Sequence, residues 1–112
     1  MKKLNSLTNP ILDLDGLPTM KQLGTNPDGS PILVVETIGR TLANVLARGR
    51  SADPVKAMMI AMQIYGAKSV ELEDTDFALV KDVFDKDPLL SNLGSAALMA
   101  VLNGAVEKAA KA

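Results

Sequence analysis

The sequence predicts a mainly helical α+β domain, a short N-terminal β-meander followed by about four helices. Strand-period and hairpin-turn signals are confined to the first third of the chain, and from Thr37 onward apolar residues recur at helical spacing between Pro and Gly punctuation. The length of 112 residues suits one domain and leaves no room for two independent cores.

Residues 1–10 are polar apart from Leu4 and Leu7 and repeat at neither a strand nor a helix period, so a flexible tail is expected there. Residues 11–112 are then the globular domain, with the meander in 11–36 and the helical part in 37–112. Ile11, Leu12 and Leu14 lead into Asp15-Gly16, a dipeptide suited to the positive φ values of a tight turn, so a strand ends near Asp15. Asn26-Pro27-Asp28-Gly29-Ser30-Pro31 is a second turn signal, between a weak extended segment around Met20 to Leu23 and the β-branched run Ile32-Leu33-Val34-Val35. Pro18 and Pro31 lack amide donors and fit strand ends or edges, which makes the sheet short and exposed at an edge.

The helical part opens at Thr37, with Ile38, Leu42, Val45 and Leu46 on one face and Gly49 placed to stop the helix after Arg48. Ser51-Ala52-Asp53-Pro54 supplies a capping side chain and then Pro at the first helical position. The second helix carries Val55, Met58, Met59, Met62 and Tyr65 on an apolar stripe and ends at Gly66. Val70 and Leu72 alternate with Glu71 and Glu73 as a brief extended linker. Asp74 is placed to cap a third helix whose buried face is Phe77, Val80, Val83 and Phe84. Asp87-Pro88 repeats the Asp-Pro start signal, so the last helix is expected from Pro88 to about Lys108, with Leu89, Leu93, Ala96, Ala97, Ala100, Val101 and Gly104 on a broad face of small and apolar residues.

Composition narrows the chemistry. Hydrophobic residues make up 47% and charged residues 22%, far from a disordered composition, and with aromatics at 3% the core must be aliphatic with six Met. There is no Cys and no His, which removes disulfides, thiolate sites, the commonest general base and the commonest neutral metal ligand. No Ser lies in a Gly-x-Ser-x-Gly elbow and no Gly-rich loop precedes a helix, so neither an enzyme nor a cofactor or metal site is expected. In Asp13-Leu14-Asp15-Gly16 the twelfth place of a calcium loop falls on Gly24, and a hairpin turn is the better reading. Glu71, Glu73, Asp74 and Asp76 fit capping and dipole compensation at one helix start. The longest helical apolar stretch, Leu93 to Val106, is interrupted and shorter than the roughly 20 residues a membrane span takes, and no export signal follows Lys2-Lys3. A cytoplasmic protein is the expectation.

Protein binding is what remains. Core packing is the commoner use of the stripe Met58, Met59 and Met62, but Met58 and Met59 point in different directions on one helix, so one of them is expected at the surface, and the three form an adaptable partner-binding candidate. Ala97, Ala100 and Gly104 would allow a second helix to approach closely, which favours a protein partner or self-association. The alternative is a small nucleic-acid-binding regulator using a basic cluster of Arg40, Arg48, Arg50 and Lys56. A net charge of -1 disfavours nucleic acid, and a solvated helix end is the plainer account of the cluster.

Four stretches together carry a resemblance: 10–16 (Pro-Ile-Leu-Asp-Leu-Asp-Gly), 41–47 (Thr-Leu-Ala-Asn-Val-Leu-Ala), 53–57 (Asp-Pro-Val-Lys-Ala) and 70–81 from Val70 to Lys81. Over about residues 10 to 102 the chain resembles small proteins encoded by phages and prophages, and within them the helical tail-assembly chaperones of long-tailed phages. That resemblance implies a non-enzymatic protein of the bacterial host cytoplasm that handles an aggregation-prone partner, such as a phage tail protein, during virion assembly. It carries over no catalytic or ligand residue.

Overall fold

The computed structural model describes residues 1–107. The α+β class holds: four helices, α1 (Ile38–Arg48), α2 (Pro54–Ile64), α3 (Asp74–Asp85) and α4 (Asn92–Asn103), accompany five short strands, β1 (Lys2–Leu4), β2 (Met20–Thr25), β3 (Pro31–Val35), β4 (Val70–Leu72) and β5 (Val106–Glu107). The strands form two antiparallel sheets, β4-β1-β5 with β1 in the middle and the hairpin β2-β3.

α1 is the hub, packing against α2, α3 and α4. Its inward residues Leu42, Val45 and Leu46 join Leu4, Leu7, Ile64, Val80, Val83 and Leu98 in one aliphatic core. The start of α1 is capped from two sides. The Thr37 hydroxyl accepts from the Arg40 N–H at 3.3 Å, while the N–H groups of Ile38 and Gly39 donate to the carbonyls of Asn9 (3.0 Å) and Leu7 (2.7 Å). Three donors that a helix start leaves without intrahelical partners are thereby satisfied.

Those last two bonds overturn the expected N-terminal tail. Residues 1–10 are integral: β1 pairs Lys2 with Leu72 and Leu4 with Val70, and Leu4 and Leu7 are buried. No period marked this segment because β1 is only three residues long and Ser6 breaks the chain direction at a positive φ of 62°. Its partner strand lies far along the chain.

Within 11–36 both expected turns are present. The Asp13 carboxylate accepts from the N–H groups of Asp15 (2.9 Å) and Leu17 (3.0 Å), and Gly16 and Gly29 take φ values of 81° and 90° that suit glycine. The first expected strand is reduced to two isolated bridges, Pro10 with Thr37 and Leu12 with Pro18, because each bridge contains a proline that cannot donate to a longer ladder.

Three helical details differ from expectation. The buried face of α2 is Ala57, Ile60, Ala61 and Ile64, so the large stripe Val55, Met58, Met59, Met62 and Tyr65 faces outward. Two alanines bring α2 close to α1, and the helix is apolar nearly all round, which is why the larger residues read as the core side. α3 begins after Glu73 with no side-chain cap, and Asp74 instead meets the chain's terminal ammonium at 3.5 Å. α4 starts at Asn92, where the Ser91 hydroxyl accepts from the Gly94 N–H at 3.2 Å. Asp87-Pro88 forms a turn instead, since the Asp87 carboxylate accepts from the N–H groups of Leu89 and Leu90. Gly104 closes α4, so the helix stops short of the expected end near Lys108, and Val106 and Glu107 pair with β1 as β5 instead; Lys108 itself lies outside the described residues.

Gly39 provides the test of this fold. A Cβ there would lie 2.9 Å from the Leu7 carbonyl oxygen and 3.1 Å from the Leu7 Cβ. Gly39→Ala is expected to destabilise the chain by about 1–3 kcal/mol through overpacking, although alanine within a helix ordinarily gains up to about 1 kcal/mol over glycine. A urea midpoint that rises in this variant would contradict the close docking of residues 7–9 on α1.

Candidate functional site: uncovered apolar surfaces

The outward side of α2 is uncovered. Val55 is 70% exposed, Met59 60%, Met62 74% and Tyr65 54%, with Met58 at 44%. Both Met58 and Met59 reach solvent, one more than their spacing required. Lys56 lies 3.6 Å from the Asp76 carboxylate of α3 and the Arg40 guanidinium lies over Tyr65, while the five residues of the face themselves carry no charge. A surface helix ordinarily places charge where this one places thioethers.

The small-residue candidates lie on another helix. Ala100 and Gly104 are exposed and Ala97 is half-buried. They do not join the methionines, because α2 and α4 are packed separately on α1.

The basic cluster is divided among partners. Arg48 holds Asp87 through two bonds, Nε at 3.0 Å and Nη2 at 2.8 Å, and the Asp87 side chain is only 1% exposed. The Arg40 guanidinium lies over the Tyr65 ring at 5.5 Å, Lys56 faces Asp76, and Arg50 is exposed. Three of the four charges are thus directed at their own neighbours instead of at a common ligand.

The acidic candidates also separate. Asp74 turns to the terminal ammonium and Asp76 to Lys56, and Asp13 is occupied by its turn. Among the described residues no three acidic side chains converge as a metal cluster would require, and no helix is long and apolar enough to cross a membrane.

The structure adds a feature that sequence spacing did not reveal. The β2-β3 hairpin projects as an arm, with Met20, Leu23, Ile32, Leu33 and Val35 exposed. Between this arm and the helices runs a groove of about 610 Å³, lined by Ile11, Val34, Arg40, Tyr65, Leu90 and Leu93 among others. The Thr19 hydroxyl in its wall is buried without a hydrogen-bond partner. The signal available in the sequence was the uncharged run of β3, which alternates with nothing polar and so marks neither face as solvated.

Asp87 sets a pH dependence. The bidentate Arg48 guanidinium, with help from the Leu89 and Leu90 N–H groups, holds its carboxyl below the ordinary value of 3.8. A carboxyl whose folded-state pKa is depressed contributes stability above its unfolded pKa and loses it as pH falls through the folded one. Asp87→Asn is therefore expected to lower stability by about 1–3 kcal/mol at neutral pH. The gap between wild type and variant should close as pH drops below about 4. A gap unchanged between neutral and acid pH in denaturant titrations would remove the ion pair from the account.

No family model, curated protein or solved structure matches this chain.

Proposed function

We propose that this chain is a non-enzymatic, protein-binding assembly factor that holds an apolar helical segment of another protein against the outward face of α2. The observation that carries this reading is the row of Val55, Met58, Met59, Met62 and Tyr65, exposed on a helix whose opposite side is fully used by the core. Residues at these spacings form a seam along one side of a helix, the surface into which a second amphipathic helix packs its own apolar ridge. Three thioethers in the seam make it tolerant of partner shape, since Met has three rotatable bonds and a polarizable sulfur. That tolerance suits a protein that shields an aggregation-prone segment during assembly.

The narrower form of the proposal is a tail-assembly chaperone acting in the bacterial host cytoplasm on a phage tail protein. Its support is the resemblance of residues 10 to 102 to small phage proteins, together with the neutral, adaptable face just described. The nucleic-acid alternative draws less from the geometry, because Arg40, Arg48 and Lys56 each already face a neighbouring side chain.

The test is co-expression with the products of adjacent genes, a tape-measure or tail-tube protein first among them. Wild type should co-purify with one such product. The double variant Met59→Lys/Met62→Lys should keep its circular dichroism and lose at least about tenfold in affinity, the effect of placing charge at the centre of an apolar interface. Retained binding in the double variant would remove the α2 face from the mechanism, and a gene set among metabolic enzymes would remove the phage-assembly reading.

A further inference from the structure

We propose that the β2-β3 arm is a dimerisation element in which the free edge of β3 pairs antiparallel with the same edge of a second copy of this chain. The product is a continuous four-stranded sheet in the order β2-β3-β3-β2. This site is separate from the α2 face and does not rest on the partner-binding reading.

The two edges of the arm are built differently. β2 carries Lys21 and a register irregularity between Gln22 and Gly24, and both charge and bulges block further strand pairing. β3 is Pro31-Ile32-Leu33-Val34-Val35, with no charge and no bulge of its own. Among the described residues it pairs with β2 alone. A two-stranded hairpin is marginally stable in water unless a further strand or a packed layer supports it. Here Ile32, Leu33 and Val35 remain exposed.

The hydrogen-bond phase shows which groups the edge offers. The Glu36 N–H donates to the Thr19 carbonyl (2.9 Å), and the Ser30 carbonyl accepts from the Asn26 N–H (2.7 Å), so both residues turn toward the β2 side. Because strand residues alternate, Ile32 and Val34 also turn toward β2, and Leu33 and Val35 present their N–H and C=O groups outward. A peptide edge of this kind is recognised by another extended strand.

The outward groups complement a second copy of themselves. Under two-fold symmetry, Leu33 of one copy lies opposite Val35 of the other, twice, and Val34 lies opposite Val34. Both Leu33–Val35 pairs are of the hydrogen-bonded type and use every outward N–H and C=O of the two residues. All cross-strand side-chain neighbours at the centre are aliphatic, the pairing that sheets favour. The ladder ends where Glu36 leads into the cap of α1.

Two substitutions test this without disturbing the monomer. Leu33→Pro removes an outward N–H while leaving the bonds to β2, and Val34→Glu places two like charges opposite each other at the symmetry axis while facing Lys21 within its own hairpin. Light scattering on wild type across a concentration series should reach twice the 11.8 kDa of one chain. In that dimer the Leu33 and Val35 amides should exchange slowly with solvent. Each variant should keep the wild-type circular dichroism and urea midpoint at low concentration and raise the dimer dissociation constant about tenfold or more. Three outcomes would overturn the proposal. They are a monomeric wild type with fast-exchanging Leu33 and Val35 amides, a dimer whose strength neither variant changes, and slow exchange that depends on a strand from a different protein.

Discussion

The docking of residues 7–11 on the start of α1 is the constraint on which the rest depends. Gly39 has no side chain, and that gap admits the Leu7 backbone to 2.7 Å from its N–H. Once Leu7 is fixed, Leu4 is fixed with it, and β1 lies where β4 can pair on one side and β5 on the other. Leu7 also donates its own N–H to the Lys68 carbonyl at 3.1 Å, tying the segment between α2 and β4 into the same joint. One short stretch thus satisfies the exposed donors of a helix, fills the core with Leu4, Leu7 and Ile11, and joins the two ends of the described chain through a single sheet.

α1 translates that joint into the arrangement of helices. It packs against α2, α3 and α4, and the small residues Gly39, Ala43, Ala57 and Ala61 at its contact with α2 keep that contact close. Close packing through alanines uses little of the α2 circumference. The remainder of that helix is apolar and faces water, so the same choice that tightens the core creates the uncovered surface. The arm arises differently. Its base is held by Ile11, which donates to the Glu36 carbonyl and accepts from the Thr19 N–H, while Leu23, Ile32 and Leu33 farther out remain exposed.

Features that depend on near neighbours in the chain were legible in the sequence. Asp53-Pro54 announced α2, Thr37 and Gly49 bounded α1, and both turns of the 11–36 region stand where Asp15-Gly16 and Asp28-Gly29 put them. What escaped was set by distant contacts. β1 has no period to read because three residues suffice when its partners lie about seventy and a hundred positions away in the chain. Asp87-Pro88 resembles Asp53-Pro54, yet the Asp87 carboxylate is drawn to Arg48, thirty-nine residues earlier, and the helix begins only at Asn92. The methionines of α2 were identified as binding candidates, but which side they face was decided by Ala57 and Ala61, whose small size gives no hydropathic signal to compete with Met.

The outward orientation of the α2 methionines is the central claim, and their side-chain methyls report on it directly. A soluble paramagnetic agent added to the free chain, labelled at the methionine methyl carbons, broadens each resonance according to its access to solvent. The account predicts strong broadening of Met58, Met59 and Met62, well beyond that of the buried Leu42 and Leu98 methyls measured in a leucine-labelled sample. Methionine methyls of α2 as protected as those core leucines would contradict it.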